Sequence, residues 1–280
     1  THATLEFDIG SLVFLAPGEE NALEPNLTAY SGTIEGTGEV ALTGGGVLWL
    51  RGNNSYQGGT RIEHGYLLGN TDSIQGDVFI NDHLGLYQIE AGTFSGNLSG
   101  QGRLLKYGPG RVHLTGDNTH TGGTWVTDEL LIDRDANLGA SNTILRLANG
   151  HLGITQDLVS ARPVNLMSDS SNSINTKGNQ LSLSGELSGD GTLTKTGEGT
   201  LTLAGTGRLT GPINVAQGRL AVDGELGAEV FVERLFGSDD AFEIETRVNE
   251  SGVAEDFVTL PNGESFRVAW LLLDIEDFEN

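Results

Sequence analysis

Six histidines and 38 Asp and Glu are the groups of this 280-residue chain that could move protons or hold a metal. Their spacing favours neither task. His2, His64, His83, His113, His120 and His151 are scattered, and no His-Glu-x-x-His pair places two imidazoles on one helix face. No Gly-x-Ser-x-Gly elbow marks a nucleophilic serine. His113 alternates with Val112 and Leu114, which on a strand turns its ring outward. Asp133-Arg134-Asp135-Ala136-Asn137 opens like a calcium loop, but Leu138 stands at the sixth position, where the turn needs Gly. Ile144 stands at the twelfth, where the ion needs Glu. Gly189-Asp190-Gly191 lacks the nonapeptide series of a calcium-binding β-roll. Glycan-processing β-helices need carboxylates clustered in a groove. The pairs Asp239-Asp240 and Glu255-Asp256 lie instead in the last fifth of the chain. Only Lys106, Lys177 and Lys195 are available for amine chemistry, and with 0 Cys there is no thiolate ligand or disulfide. The expectation is no catalytic residue, no cofactor and no dedicated metal site, with weak divalent-cation binding left to the acidic surface.

Charge narrows the partners. Fifteen Lys and Arg against 38 Asp and Glu give a net charge of -23, which argues against nucleic acid and against anionic membrane surfaces. No run approaches the ~18 apolar residues of a membrane-spanning helix. The start, Thr1-His2-Ala3, has neither Met nor a signal-peptide pattern and reads as a mature or excised region.

The elements that position these residues come from a repeat. The 42 Gly are about twice the usual share, and with 6 Pro and no Gly-X-Y period the chain is not collagen. Gly36, Gly52, Gly58 and Gly59 recur 64 residues later as Gly100, Gly116, Gly122 and Gly123. Gly100 and Gly116 recur a further 89 residues on as Gly189 and Gly205. The copies lie near 31–76, 95–140 and 184–222. Within them apolar residues alternate, as in Leu201/Leu203 and Ile213/Val215, which is the period of a strand. Ile74 and Leu138 share a register, so the calcium-loop lookalike is a coil turn. The fold class is all-β. Unequal spacings disfavour a propeller, whose blades are equal. They suit a solenoid, a right-handed parallel β-helix, if each gap is a whole number of coils: three of roughly 21 residues and four of roughly 22. On that arithmetic roughly eleven to thirteen coils make a rod of about 50–60 Å. The ten glycines named above are the structural repeat residues. Asn53-Asn54 and Asp117-Asn118 read as corner residues tolerating left-handed backbone.

At these residues the chain resembles the passenger regions of bacterial autotransporters. Gly46 through Ile62, with Gly65 and Leu67, fits the stalk pattern G-x-L-x-L-x-G-x-N-x-Y-x-G-G-T-x-(V/I)-x-x-G-x-L. Gly110 through Thr124 fits with His120 in place of Tyr, and that copy carries Glu129 where the others have Gly65 and Gly218. The third copy lacks the Gly-Gly-Thr, although Leu187 through Leu201, with Lys195, fits the upstream signature. The resemblance covers roughly 31–224. It implies a right-handed β-helix exported unfolded through the outer membrane of a Gram-negative cell, a route that absent cysteines suit. The family's membrane-embedded barrel is not expected within this chain.

Residues 1–224 are therefore expected to form the β-helix, and 225–280 an acidic, β-rich cap. The cap would cover the open edge and promote folding. Pro261-Asn262-Gly263 reads as a hairpin turn between 253–260 and 264–273. The functional expectation is a non-catalytic region at the cell surface or secreted, serving adhesion or self-association. Its partners would be a host surface, a matrix or another copy, with contacts that depend on salt because the charge must be screened. Two alternatives stand beside it: the stalk of an autotransporter serine protease whose catalytic domain lies outside this chain, and a polysaccharide-acting β-helix.

Overall fold

A computed structural model describes residues 4–9 and 27–223, and the backbone of 230–231, 243–248, 254–259 and 265–268. Short alternating segments become strands because one side can be buried while the other stays wet. In Thr200–Leu203, Leu201 and Leu203 are buried and the two threonines are half-exposed. Glycine-rich turns cut each strand after a few residues, so no strand closes a core alone. Stacking does so: successive coils pair in parallel and line up their inward residues.

The coils trace a three-sided prism. One face carries ten strands, from Leu27–Tyr30 to Gly207–Leu209. The preceding face holds Thr4–Phe7, Glu39–Leu42, Thr60–Ile62, Val78–Ile80 and Leu98–Ser99. It is interrupted there and resumes as Leu158–Ser160, Gln180–Leu183, Thr200–Leu203 and Arg219–Val222. The following face begins with Glu35–Gly36 and Ser55–Tyr56 and continues from Gly92–Phe94 to Val230–Phe231. Leu48, Leu67, Leu84 and Leu104 stack in one inward column, each 0% exposed. Columns like this merge into a single core along the rod. Among the described residues there is one 3-10 turn, Asp135–Leu138, and no α-helix.

Coil lengths correct the whole-number expectation. After the first pairing, Thr4↔Glu39, which spans 35 residues, pairing shifts run from 17 residues (Tyr66↔His83) to 23 (Val164↔Leu187). Val40 pairs with Thr60, Thr60 with Val78 and Val78 with Leu98, three coils on one face. Leu104, the repeat equivalent of Val40, starts the next face. From Leu104 four more coils pass through Thr124, Leu145, Val164 and Leu187, and its equivalent Leu193 starts the third face. Each gap is thus a whole number of coils plus one face, and the copies point in three directions. The physical reason is that the repeat encodes its own turns. The corners of a three-sided coil are alike, so the unit fits on any face. Coils near 20 residues replace the expected 21 or 22, and ten rungs at ~4.8 Å span about 43 Å rather than 50–60 Å.

Beyond the rod, Glu243–Val248, Ala254–Thr259 and Ser265–Val268 form an antiparallel sheet. Thr259 pairs with Ser265 across the expected hairpin, while Pro261-Asn262-Gly263 and Asp239-Asp240 lie outside the described residues.

Candidate binding face

The repeat residues build the scaffold. Gly36, Gly100 and Gly189 adopt φ of +108°, +100° and +107°, where a side chain would strain the backbone. Gly52, Gly116 and Gly205 face the coil below so closely that a Cβ would lie 2.1, 2.2 and 1.8 Å from the carbonyl oxygens of Gly32, Gly96 and Gly185. Gly58 and Gly122 press in the same way on Gly38 and Gly102, and Gly59 and Gly123 take φ of +82° and +84°.

Polar side chains then stitch the coils. Asn54 accepts from Ile34 N at 2.9 Å and donates to Ser73 O at 2.6 Å, joining the coil below to the coil above. Asn118 repeats this on another face, with Leu98 N at 2.8 Å and Asn137 O at 2.6 Å. Both are buried, and neither has positive φ, so the left-handed corner role expected for them is replaced by a bridge. The non-glycine left-handed residues among those described are Asn149, Asp169 and Lys177. Removing the bridge strands two buried backbone groups, so Asn118→Ala is expected to cost about 2 kcal/mol or more, read as a lower urea midpoint.

Lys106 and Lys195, equivalent in the repeat, are 0% exposed. The Lys106 amine donates to Tyr107 O and Gly108 O, and that of Lys195 to Thr196 O, Gly197 O and Gln217 O. Burial pushes both amines down to about 8. They saturate corner carbonyls and leave no free nucleophile.

Where the first face is interrupted, Arg162 replaces the missing ladder. Its guanidinium, fully buried, clamps both oxygens of Asp135 at 2.8 and 2.9 Å. It also donates to the carbonyls of Asp135, Leu138 and Gly139 and to Thr143 Oγ1. Asn137 ties Asp133 N, Arg134 N and Gly116 O. The calcium-loop lookalike is therefore a turn whose acceptors are occupied. Among the described residues no group of three His, Asp or Glu converges to hold a metal.

His120 takes the place Tyr56 has in the first copy. Tyr56 Oη lies 2.6 Å from Thr60 Oγ1, and His120 Nε2 lies 3.1 Å from Thr124 Oγ1. Burial, and then the Arg162 charge, push the His120 pKa from 6.5 down to about 4. The unfolded chain takes up a proton in that window that the fold refuses. Stability is therefore full above pH 6.5 and falls as pH drops toward 4. The expected loss is about 3 kcal/mol, and His120→Tyr should flatten the slope in acid unfolding curves.

His64, His83, His113 and His151 sit on the outer side, and His2 lies outside the described residues. His113, half-buried, bonds Asp133 at 2.7 Å, and Asp133 also accepts from Thr155. Burial opposes ionisation of Asp133, but those hydrogen bonds hold its carboxyl below the usual range. The hydroxyl thus meets the carboxylate rather than the imidazole, which is not a relay geometry. His151 Nδ1 lies 2.7 Å from Ser173 Oγ with Glu129 as its register neighbour, but His151 and Glu129 are exposed, Ser173 is half-exposed, and Glu129 turns to Arg111 at 3.9 Å. Nothing there excludes water from a reacting group.

What remains is a ladder on the outer side of the ten-stranded face. Trp49, Leu68, Gly85, Leu105, Trp125 and Arg146 occupy one outward column in successive coils. Tyr66, His83, Tyr87 and Tyr107 flank it on the same strands. Trp49 meets Tyr87 edge-to-face at 5.8 Å, and Tyr66 meets His83 at the same spacing. Arg51 lies 4.6 Å over Trp49, while Arg103 and Arg146 lie 4.2 and 4.8 Å from the centre of Trp125. Burial first, and the Arg146 charge second, lower the Arg103 pKa. Sequence reasoning missed this ladder because Trp49 and Trp125 are not repeat equivalents. Unequal coil lengths bring them into register, and the available signal was only that both sit at outward positions of a strand.

Residues 40–68, 104–128 and 193–222 match the passenger-associated-transport-repeat family, so the chain carries three such repeats, one starting on each face. Over 137 residues it is 34% identical to an adhesin autotransporter, BmaC, of Brucella suis biovar 1 (strain 1330). That match covers 48% of this chain and 4% of the relative, so the chain spans a small part of the protein it resembles. No solved structure matches it significantly.

Proposed function

We propose that this chain is a non-catalytic, adhesive stretch of an autotransporter passenger, working at the surface of a Gram-negative cell. Its side faces engage a host surface, a matrix or another copy of the chain. The observation that carries this reading is the similarity to an adhesin autotransporter across 48% of the chain. The rod supports it physically. Its inward polar groups are committed to stitching coils, and its outward columns form a long, regular surface. A chain without cysteine also crosses a membrane unfolded without trapping a disulfide.

The test is display. Fused to an unrelated outer-membrane barrel and presented on a non-adherent bacterium, the rod should raise attachment to cell monolayers or matrix, or raise clumping, several-fold over the barrel alone. Adherence equal to that of the bare barrel contradicts the reading.

A further inference from the structure

In a chain of net charge -23, an arginine is expected to find a carboxylate. Arg61, Arg111, Arg134 and Arg162 do. Arg103 and Arg146 make no such ion pair among the described residues: Asp82 acts on Arg103 only through space, and both guanidiniums stack on the Trp125 ring, one from the coil below and one from the coil above. Stacking on the indole offsets part of the repulsion between the two charges. The Nε of Arg103, the Nε of Arg146 and the indole Nε1 of Trp125 are buried donors without a hydrogen-bond partner in the fold. Those three atoms are closed to solvent, but the residues that carry them are half-exposed, so a ligand laid along the face meets them. Along the same face, Trp49 and the tyrosine rings offer apolar surfaces with polar tips. These suit a ligand that has C–H faces and a hydroxyl rim.

We propose that the Arg103–Trp125–Arg146 sandwich is a binding site for the carboxylates of a uronic-acid polysaccharide lying along the ten-stranded face. The proposal rests on the adhesive reading and gives it a ligand class. A planar carboxylate matches the guanidinium fork in two-point geometry, which a tetrahedral sulfate does less well. The flanking rings distinguish a sugar chain from an acidic peptide. Arg51 over Trp49 adds a second stacked guanidinium on the same face, and two weak contacts to one polymer reinforce each other through avidity.

The purified 280-residue chain is tested for binding to immobilised hyaluronan and polygalacturonate, with neutral dextran, dextran sulfate and poly-glutamate as comparators. Expected is binding to both uronate polymers, weakening as salt rises, and little to dextran. R103Q/R146Q should lose at least tenfold, and R103K/R146K, which keeps charge but not the fork, should lose several-fold. Arg208→Gln, on the same face but away from the ring, should stay near the parent, and circular dichroism confirms that each variant is folded. Equal or tighter binding to dextran sulfate or poly-glutamate, an unaffected double variant, or no uronate binding overturns the proposal. If the displayed rod still promotes attachment in those cases, the adhesive reading survives and only the ligand is wrong. If both fail, both readings fall.

Discussion

Arg162→Met is expected to lower the unfolding free energy by about 3 kcal/mol, the cost of leaving a mostly covered carboxylate, 20% exposed, and its neighbouring acceptors unpaired. The site explains the size. The first face is interrupted after Leu98–Ser99, and the next coils cross that side through the irregular stretch around Asn118 and the turn Asp135–Leu138. Carbonyls of that turn and its flank, which a ladder strand would have satisfied, point at one guanidinium instead. A methionine fills the volume but supplies no donor. Arg162→Met combined with Asp135→Asn removes the uncompensated charge and should recover part of the loss. A urea titration followed by far-ultraviolet circular dichroism reads both. An unchanged midpoint for Arg162→Met would mean that water satisfies these groups and that the clamp is incidental.

The glycine contacts between coils give the second large effect. Alanine at Gly52, Gly116 or Gly205 would push a methyl group into a backbone oxygen of the coil below, which cannot rotate aside. Each substitution is expected to cost about 3 kcal/mol by forcing two rungs apart. The three costs should be similar although the sites lie at three different corners, because the local turn rather than the face sets the contact. Gly178 is the internal control: nothing lies within 4 Å of its Cβ position, so alanine there should shift stability by no more than about 0.5 kcal/mol. A harmless Gly116→Ala would count against the tight stacking.

The sequence made the strand period, the parallel solenoid and the glycine corners legible, because these are local. Leu201 and Leu203 point the same way whatever lies above them, and a glycine at position 36 marks a turn before its neighbours are known. The path of the coils was not legible. The offsets of 64 and 89 fit whole coils arithmetically, and only the pairing register shows the extra third of a turn. That one-face advance decides which residues share a surface. It separates Tyr56 from His120 and brings Trp49, Trp125 and Arg146 into one column. The Asn bridges were hidden for a related reason. Asn is common in turns, and its burial depends on coils about 20 residues away in either direction. The Arg162 clamp spans 27 residues to Asp135, beyond any local pattern.

The advance of each repeat onto a new face can be tested directly because the chain has no cysteine to interfere with labelling. Spin labels placed in pairs at the exposed, repeat-equivalent positions Asn53, Asp117 and Thr206 give three distances by pulsed electron paramagnetic resonance. If the copies were stacked by whole coils, the labels would lie on one line along the rod. The separations would then be about three, four and seven rungs of ~4.8 Å, the longest equal to the sum of the others. With one face gained per repeat, the labels sit at three different corners. The Asn53–Thr206 distance is then predicted to fall clearly short of the sum of the other two. Additive distances would contradict the three-faced arrangement and, with it, the binding face built upon it.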